Sequence, residues 1–450
     1  MALRGLTVNS SGQLLLDGAR FRNIGLNISG AVTRLYSQPS ATACAYTPSA
    51  EQDAMLATAV SMKVKVLRIK ATPVYPAQWR YGVNGGVAGV AATAGNREAH
   101  YLQIDAFIAK CRALGIGVIL CLFFRHASPA DLAGQTLRAG WLNAGATRTY
   151  VTSVTQEIVT RYLSEEAVYG YEWSNEVNHY NDASDATRGS FPSVNAGFGT
   201  QASYSAANDM LLSSEYSGVV SWWAGLVTAI DSQRIVLTGN GPNSYTQVGG
   251  VAGVSTPMRN WHLEQVRDNP TNCGSIHYYG GIGYGSNNFR GLDTVLTGAR
   301  HWQRTSGRGF VLGEYGNQPW TITGISASGG TAIFTVASAC PVEAGDSIKV
   351  GGTTTFDGIY TVATVNAARD TITASCSVSG SWSGSVKGLQ HMSGAKVERM
   401  CNDIINSGTD VALFWMLDSD PGRPIWESID YPGNEDQRAA ILAANTALGW

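Results

Sequence analysis

Two patterns of apolar residues alternate along the chain and predict its secondary structure. Short apolar runs rich in β-branched residues are typical of strands buried on both faces, and longer stretches with apolar residues at helical spacing are typical of amphipathic helices. The short runs predict strands at Phe21–Leu26, Val64–Ile69, Gly117–Phe123, Val168–Trp173, Ile235–Thr238, Gly274–Tyr278, Phe310–Gly313 and Val411–Met416. The longer stretches predict helices at Ala50–Met62, Tyr101–Leu114, Arg148–Leu163, Asn208–Ser232, Thr256–Asp268, Leu292–Arg304, Leu389–Asn406 and Glu435–Leu448.

This alternation predicts an α/β protein with a (β/α)8 TIM barrel, because each parallel strand needs a right-handed helical crossover before the next. An open, doubly wound sheet would show a similar alternation. Open sheets that bind nucleotides carry a glycine-rich loop after a strand, but no GxGxxG or GxxxxGK[ST] motif follows any predicted strand here. The sequence therefore favours the closed barrel.

One segment interrupts the alternation between the seventh strand and its helix. Thr321–Gly388 is rich in Thr, Ser, Val and Gly, and its short alternating runs are separated by turn residues. We expect a small all-β module inserted into this loop, which divides the chain into a catalytic barrel (1–320 and 389–450) and an insert (321–388). Because βα loops lie on the catalytic face of a barrel, the insert should stand beside the active-site mouth.

Composition limits the possible partners. Of the 450 residues 14% are charged and 44% hydrophobic, which fits a folded globular protein. The formal net charge is -2, so neither a nucleic acid nor an anionic membrane is favoured as a partner. The 12 tryptophans fit a neutral polymer better, since exposed aromatic rings can stack on sugars.

The cysteines and the first residues narrow the function further. Seven cysteines are scattered without CxxC spacing, so we expect no metal site and no organic cofactor; a disulfide between Cys340 and Cys376 stays open. No signal peptide is visible at the start, and no apolar run is long enough to cross a bilayer. We expect the protein to act outside the cell, secreted by another route, after removal of a leader, or on a virion.

Two acidic residues follow predicted barrel strands directly. Glu176 comes after the fourth strand in VYGYEWSNEVNH, and Glu314 after the seventh in GFVLGEYGN. Active sites of TIM barrels lie at the carboxyl ends of the strands, and cleavage of a glycosidic bond needs two carboxyl groups flanking that bond. The two positions therefore predict a glycoside hydrolase.

Short motifs around these residues resemble the clan A glycoside hydrolases. YEWSNEVN resembles their strand-four Asn–Glu motif, LGEYG their strand-seven nucleophile motif, and FRNIGLNISG the first strand of glycoside hydrolase family 5, the cellulase and mannanase family, which is most similar. The resemblance implies a retaining enzyme with Glu176 as acid/base and Glu314 as nucleophile. Val177 departs from it, because the family often has proline there, and the insert is not part of the common barrel.

The resemblance also implies supporting roles for six residues. Arg68 on the second strand would hold Glu314 ionised, and Asn175 would bond the sugar 2-hydroxyl. His277 and Tyr279 match a His-x-Tyr motif on the sixth strand, where Tyr279 would orient Glu314. The two remaining residues, at the ends of strands three and eight, are His126, which would bind sugar, and Trp415, which would form an aromatic floor.

Three of these residues, and the nearby Glu172, also have a structural interpretation. Glu172 lies inside the fourth strand, where a buried ion pair is its expected role, and Arg68 could simply neutralise it. His126 could bond backbone carbonyls, and Trp415 could fill the core.

We thus predict an endo-β-glycanase that cleaves a β-linked polysaccharide or oligosaccharide, with β-1,4 linkage taken from the resemblance alone. A non-catalytic carbohydrate-binding or phage-tail-type structural protein on the same barrel is the alternative. The insert could bind carbohydrate or form one wall of the cleft. It could also be a module for particle attachment or oligomerisation, since GDSIKVGG and GIYTVATV resemble small β modules of phage tail proteins.

Overall fold

The computed structural model describes residues 5–33, 46–72, 94–177, 181–182, 211–240, 271–278, 292–316, 319–337, 340, 342, 344–417, 428–429 and 433–450. Its strands are, in chain order, β1 Thr7–Val8, β2 Leu14–Leu16, β3 Ala19–Arg20, β4 Asn23–Ile28, β5 Val66–Lys70, β6 Gly117–Phe123, β7 Val168–Ser174, β8 Asn181–Asp182, β9 Leu211–Leu212, β10 Ile235–Leu237, β11 Cys273–Tyr278, β12 Gly309–Gly316, β13 Pro319–Ser328, β14 Thr331–Val336, β15 Ser347–Val350, β16 Gly358–Val365, β17 Thr371–Ser375, β18 Gly380–His391 and β19 Val411–Trp415.

The described helices are α1 Ser49–Ser61, α2 Ala94–Ala113, α3 Ala127–Leu132, α4 Leu137–Leu142, α5 Ala146–Tyr162, α6 Ser213–Thr228, α7 Leu292–Ser306, α8 Gly394–Ser407 and α9 Glu435–Ala447. The short α3 and α4 were not predicted, and the predicted helix Thr256–Asp268 lies outside the described residues. In the described part of the chain, no helix has both the length and the apolar character needed to cross a membrane.

A parallel sheet of eight strands forms the centre, in the order β10-β7-β6-β5-β4-β19-β12-β11. These are the predicted strands, with ends that differ by a few residues, and the predicted TIM barrel is confirmed. The residues of β4, β5, β6 and β7 are buried throughout, as expected of strands covered by helices outside and by side chains inside.

The amino-terminal end of the barrel is filled by residues that precede it. Strands β1, β2 and β3 form a small antiparallel sheet, and Leu6, Leu14 and Phe21 are buried in one cluster with Val66 and Val411. Val66 and Val411 are the first residues of β5 and β19. This plug leaves the carboxyl-terminal end of the barrel for a functional site.

Side chains close the barrel between β10 and β11. The amide of Asn272 accepts a hydrogen bond from the Val236 N–H (2.8 Å) and donates one to the Arg234 carbonyl (3.0 Å). The Gly239 N–H donates to Oγ of Ser275 (2.8 Å). Within the described ranges no backbone ladder joins these two strands, although every other neighbouring pair of the sheet has one. We call this junction the seam.

The segment between β12 and α8 folds into a second, smaller barrel. Strands β13 to β18 form a closed antiparallel barrel in the order β13-β14-β17-β16-β15-β18, with its own apolar core. Cys340 and Cys376 contribute buried, free thiols to it, so they form no disulfide with each other. Pro319 pairs with Leu389 in β13 and β18, so the chain enters and leaves this barrel on adjacent strands.

The last strand of the insert corrects one predicted helix. The pattern predicts a helix from Leu389, but Leu389 to His391 belong to β18, and α8 begins at Gly394. Ser393 caps that helix, because its hydroxyl accepts a hydrogen bond from the Lys396 N–H. The spacing of apolar residues does not show where this helix begins, because its first residue is marked only by the polar residue that caps it.

Two lysines connect the insert to the large barrel. Nζ of Lys396 on α8 lies 2.8 Å from a carboxylate oxygen of Asp346. Nζ of Lys349 on β15 donates to the Asn434 side chain (3.4 Å), next to α9. Burial lowers the pKa of Lys349 to about 8. The insert therefore contacts the helices on either side of the last barrel strand.

Candidate active site

A buried arginine on β5 contacts polar side chains from β4, from β12 and from the end of β7, and two of them are carboxylates. Nη1 of Arg68 donates to Oε1 of Glu314 (2.7 Å) and to Oδ1 of Asn27 (3.0 Å), and Nη2 donates to Oδ1 of Asn175 (2.8 Å). Nε (2.7 Å) and Nη2 both donate to Oε1 of Glu172. Burial alone would lower the pKa of Arg68, but the carboxylates of Glu172 and Glu314 raise it above its ordinary value, so the guanidinium stays charged.

A bulge in the seventh barrel strand aims Glu314 into the site. In the pairing of β11 with β12, Ile276 lies opposite Leu312, but His277 lies opposite Glu314, so Gly313 is the extra residue. Such bulges redirect side chains next to active sites. A Cβ at Gly313 would lie 2.9 Å from the imidazole atoms of His277, so only glycine fits without displacing that ring.

The backbone around Glu176 is held by the neighbouring strands on both sides. The Asn175 N–H donates to the carbonyl of Phe124 after β6 (3.3 Å), and the Glu176 N–H donates to the carbonyl of Gly239 after β10 (2.7 Å). Glu176 has a φ of 52°, in the left-handed region that non-glycine residues seldom occupy. Residues held in such conformations cluster at functional sites.

His277 brings the two candidate glutamates together. Its Nδ1 lies 2.9 Å from Oε1 of Glu176 and 3.3 Å from Oε2 of Glu314. One ligand atom from each of these three side chains lies within 4.8 Å of the others, a spacing that could also hold a metal ion. The side chain of Glu176 is 27% exposed and that of Glu314 only 4%, so the pair is asymmetric.

Several solved structures of glycoside hydrolases are similar to this chain. No protein-family model matches the sequence, and no curated protein sequence matches it. Among solved structures, the endo-1,4-β-mannanase from Rhizomucor miehei is similar at 11% identity and a TM-score of 0.56, over 99% of this chain and 100% of that chain. The endocellulase from Pyrococcus horikoshii is similar at 12% identity and a TM-score of 0.51, over 98% of this chain and 99% of that one.

A third similar structure is a member of glycoside hydrolase family 5. The glycoside hydrolase family 5 mannosidase from Rhizomucor miehei is similar at 9% identity and a TM-score of 0.56, over 99% of this chain and 98% of that chain. The chain shares the (β/α)8 barrel fold of these three proteins. At these identities the likeness establishes the fold alone.

Three further predicted site residues are His126, Trp415 and Tyr279. His126 is buried at the end of β6, and burial, together with the nearby Arg125 charge, lowers its pKa to about 3, so its imidazole is neutral. Trp415 ends β19 and is only partly buried, unlike the residues before it. Neither takes part in the hydrogen bonds around Arg68 and His277 described above. Tyr279 lies outside the described residues.

One member of the Arg68 cluster was not among the predicted site residues. Asn27, buried at the inward face of β4, accepts from Arg68 and donates to the carbonyls of Gly313 (3.0 Å) and Leu413 (3.3 Å). It thereby ties the bulge of β12 to the arginine. The available signal was the position of Asn27 directly after the predicted strand Phe21–Leu26, because a polar amide buried at a strand end needs partners. Glu172, expected to be a buried ion-pair partner, does contact Arg68.

Proposed function

We propose that the protein is a retaining endo-β-glycanase, with Glu176 as acid/base and Glu314 as nucleophile. The observation that carries this proposal is that one histidine contacts two carboxylates at the carboxyl ends of β7 and β12, while a charged arginine contacts the carboxylate on β12. The matched structures named as an endo-1,4-β-mannanase and an endocellulase support a β-1,4-linked substrate such as mannan or glucan.

The unequal surroundings of the two glutamates support their separate roles. Glu314 is buried beside the guanidinium of Arg68, which favours its ionised form and leaves it able to attack an anomeric carbon. Glu176 is more exposed and can reach both a leaving oxygen and a water molecule. A charged Glu314 nearby disfavours a second charge, so Glu176 can hold a proton for the leaving group.

The reaction proceeds in two displacements. In the first, the Glu176 proton moves to the glycosidic oxygen as its bond to the anomeric carbon breaks, and Glu314 bonds to that carbon. In the second, water gives a proton to Glu176 and attacks the same carbon, which releases the Glu314 carboxylate. Two inversions give retention, and carboxylate oxygens within 4.8 Å of each other favour the short spacing of retaining enzymes, about 5–5.5 Å between carboxyl groups, over the roughly 6.5–9.5 Å of inverting ones.

The supporting residues act on the sugar or on the nucleophile in this proposal. Arg68 occupies Oδ1 of Asn175, so the amide NH2 of Asn175 is the part that can donate to the sugar 2-hydroxyl. His126 would contact sugar, Trp415 would form the aromatic floor, and Tyr279 would orient Glu314. These three roles follow the family resemblance.

Hydrolysis of a panel of polysaccharides, followed by proton NMR of the first product, tests the function. We expect cleavage of at least one β-linked polymer among mannan, cellulosic glucan, xylan, β-1,3-glucan and galactan. The new reducing end should appear first as the β anomer, because retention preserves the starting configuration. Activity should survive treatment with a chelator. An α anomer would contradict the nucleophile, and binding of a polymer without cleavage would favour a non-catalytic binding protein.

We further propose that the insert acts apart from bond cleavage, by binding polymer or by attaching the protein to a particle. Joining Trp320 directly to Leu389 removes 321–388 at a place where β13 and β18 are already paired, since Trp320 lies opposite Gly388 and Pro319 opposite Leu389. We expect the shortened protein to hydrolyse a short soluble oligosaccharide at the wild-type rate, because the catalytic carboxyls lie on β7 and β12. Weaker affinity for polymer alone would support binding, and lost particle association would support attachment. Loss of oligosaccharide hydrolysis in a folded protein would contradict both.

A further inference from the structure

The backbone conformation of Glu176 is unfavourable for a residue with a side chain, so contacts with other residues must hold it. Its φ of 52° lies where the Cβ of an L-residue meets the backbone, a conformation that persists only when surrounding structure holds it. The hydrogen bond from its N–H to the Gly239 carbonyl, 2.7 Å long, is such a restraint. The conformation of Gly239 therefore bears directly on where the Glu176 carboxyl lies.

Gly239 cannot be replaced by a residue with a side chain. A Cβ there would lie 1.8 Å from the Ser174 carbonyl oxygen and 2.9 Å from Cδ of Glu172, and its φ is 72°. Glycine also has the widest conformational freedom, and Gly239 lies beyond the end of β10, where the sheet ladder no longer fixes it. Some other contact must hold this glycine in place.

Ser275 supplies that contact. Its buried Oγ accepts the hydrogen bond from the Gly239 N–H at 2.8 Å. Ser275 and His277 are two residues apart on β11, so both side chains point to the inward face of the strand. Strand β11 thus acts on Glu176 in two ways. His277 contacts its carboxylate directly, and Ser275 holds Gly239, whose carbonyl accepts the hydrogen bond from the Glu176 N–H.

We propose that Ser275 is a positioning residue, which fixes the Gly239 peptide and through it the Glu176 carboxyl. The inference rests on the proposed role of Glu176 as acid/base. Without the serine hydroxyl, Gly239 can rotate, its carbonyl leaves the Glu176 N–H, and the strained backbone of Glu176 relaxes. The carboxyl then moves away from the leaving oxygen, while sugar binding elsewhere in the cleft is unaffected.

The seam offers a matched control. Asn272 makes two hydrogen bonds to Arg234 and Val236, at the opposite end of the same junction from Gly239. Asn272→Ala therefore weakens the seam without touching the route to Glu176. Ser275→Ala removes the hydroxyl and leaves a small cavity. Ser275→Cys fills that space but offers only a weak acceptor, so an effect seen in both variants is due to the lost hydrogen bond and not to the cavity.

Steady-state kinetics of the three full-length variants test the inference. We expect Ser275→Ala and Ser275→Cys to lower kcat on polysaccharide by about 10- to 100-fold with KM nearly unchanged, the scale of a small misplacement of a catalytic group. Asn272→Ala should lower the melting temperature and leave kcat unchanged. On a dinitrophenyl β-glycoside, whose leaving group needs no proton, kcat/KM of the serine variants should return to the wild-type value.

Several results would overturn the inference. Wild-type kcat in Ser275→Ala, an equal loss of kcat in Asn272→Ala, or an equal loss on the dinitrophenyl substrate would each show that Ser275 does not act through Glu176. These outcomes leave the proposed function standing, since the wild type still cleaves. A wild-type protein that cleaves neither kind of substrate would instead refute the function, and the inference with it.

Discussion

Replacing Glu314 by glutamine should lower kcat by about 10⁴-fold or more, because the variant cannot form the covalent intermediate. Glutamine keeps the shape of the side chain and can still accept a hydrogen bond from Arg68. The fold should therefore persist, and circular dichroism and thermal unfolding should resemble those of the wild type. Hydrolysis of the preferred polymer, measured by release of reducing ends, gives the comparison.

Azide separates the roles of the two glutamates by stereochemistry. In Glu314→Ala, azide can occupy the space of the lost carboxylate and attack an activated β-glycoside once, which should give the α-glycosyl azide. In Glu176→Ala, the intermediate on Glu314 still forms, and azide replaces water in the second step, which should give the β-glycosyl azide. The same azide anomer from both variants, or full activity in Glu314→Gln, would contradict the assignment.

The second large effect should come from Arg68→Met. This change leaves the buried carboxylates of Glu172 and Glu314 without their shared cation, and loss of one partner of a buried ion pair costs about 3–5 kcal/mol of unfolding free energy. We expect a loss of that size in chemical denaturation, and nearly complete loss of hydrolysis.

Two further variants make the stability prediction specific. Arg97→Met breaks a partly exposed ion pair with Glu157, and should cost no more than about 1 kcal/mol. Adding Glu172→Gln to Arg68→Met removes one uncompensated charge, so the double variant should be more stable than Arg68→Met alone. If the double variant were equally unstable, the buried charges would not be the cause.

The barrel could be predicted because its strands are buried on both faces. Runs such as Gly117–Phe123 are continuous apolar segments, and the structure keeps those ends unchanged. The positions of Glu176 and Glu314 followed from the strand ends alone, since parallel strands of a closed barrel finish at one face. The burial of the strands was therefore enough to predict the barrel from the sequence, without any knowledge of the contacts between side chains.

The contacts within the site could not be predicted in the same way. The bulge at Gly313 and the left-handed backbone of Glu176 depend on neighbours distant in sequence, such as His277 and Gly239. Apolar periodicity carries no information about them. The hydrogen bonds of Asn272 across the seam could not be predicted either, because an asparagine next to a strand is typical of an ordinary turn.

The paired ends of the small barrel have a consequence for how such a protein can change. Pro319 and Leu389 lie opposite each other, so the covalent connections of the 321–388 segment lie side by side, and its other described contacts with the large barrel are side-chain contacts with α8 and with Asn434 next to α9. Any compact domain with neighbouring termini could be grafted there without moving the strand that carries Glu314. Recombination at this point would replace the small barrel and keep the residues of the large barrel, so the two parts of the chain can evolve separately.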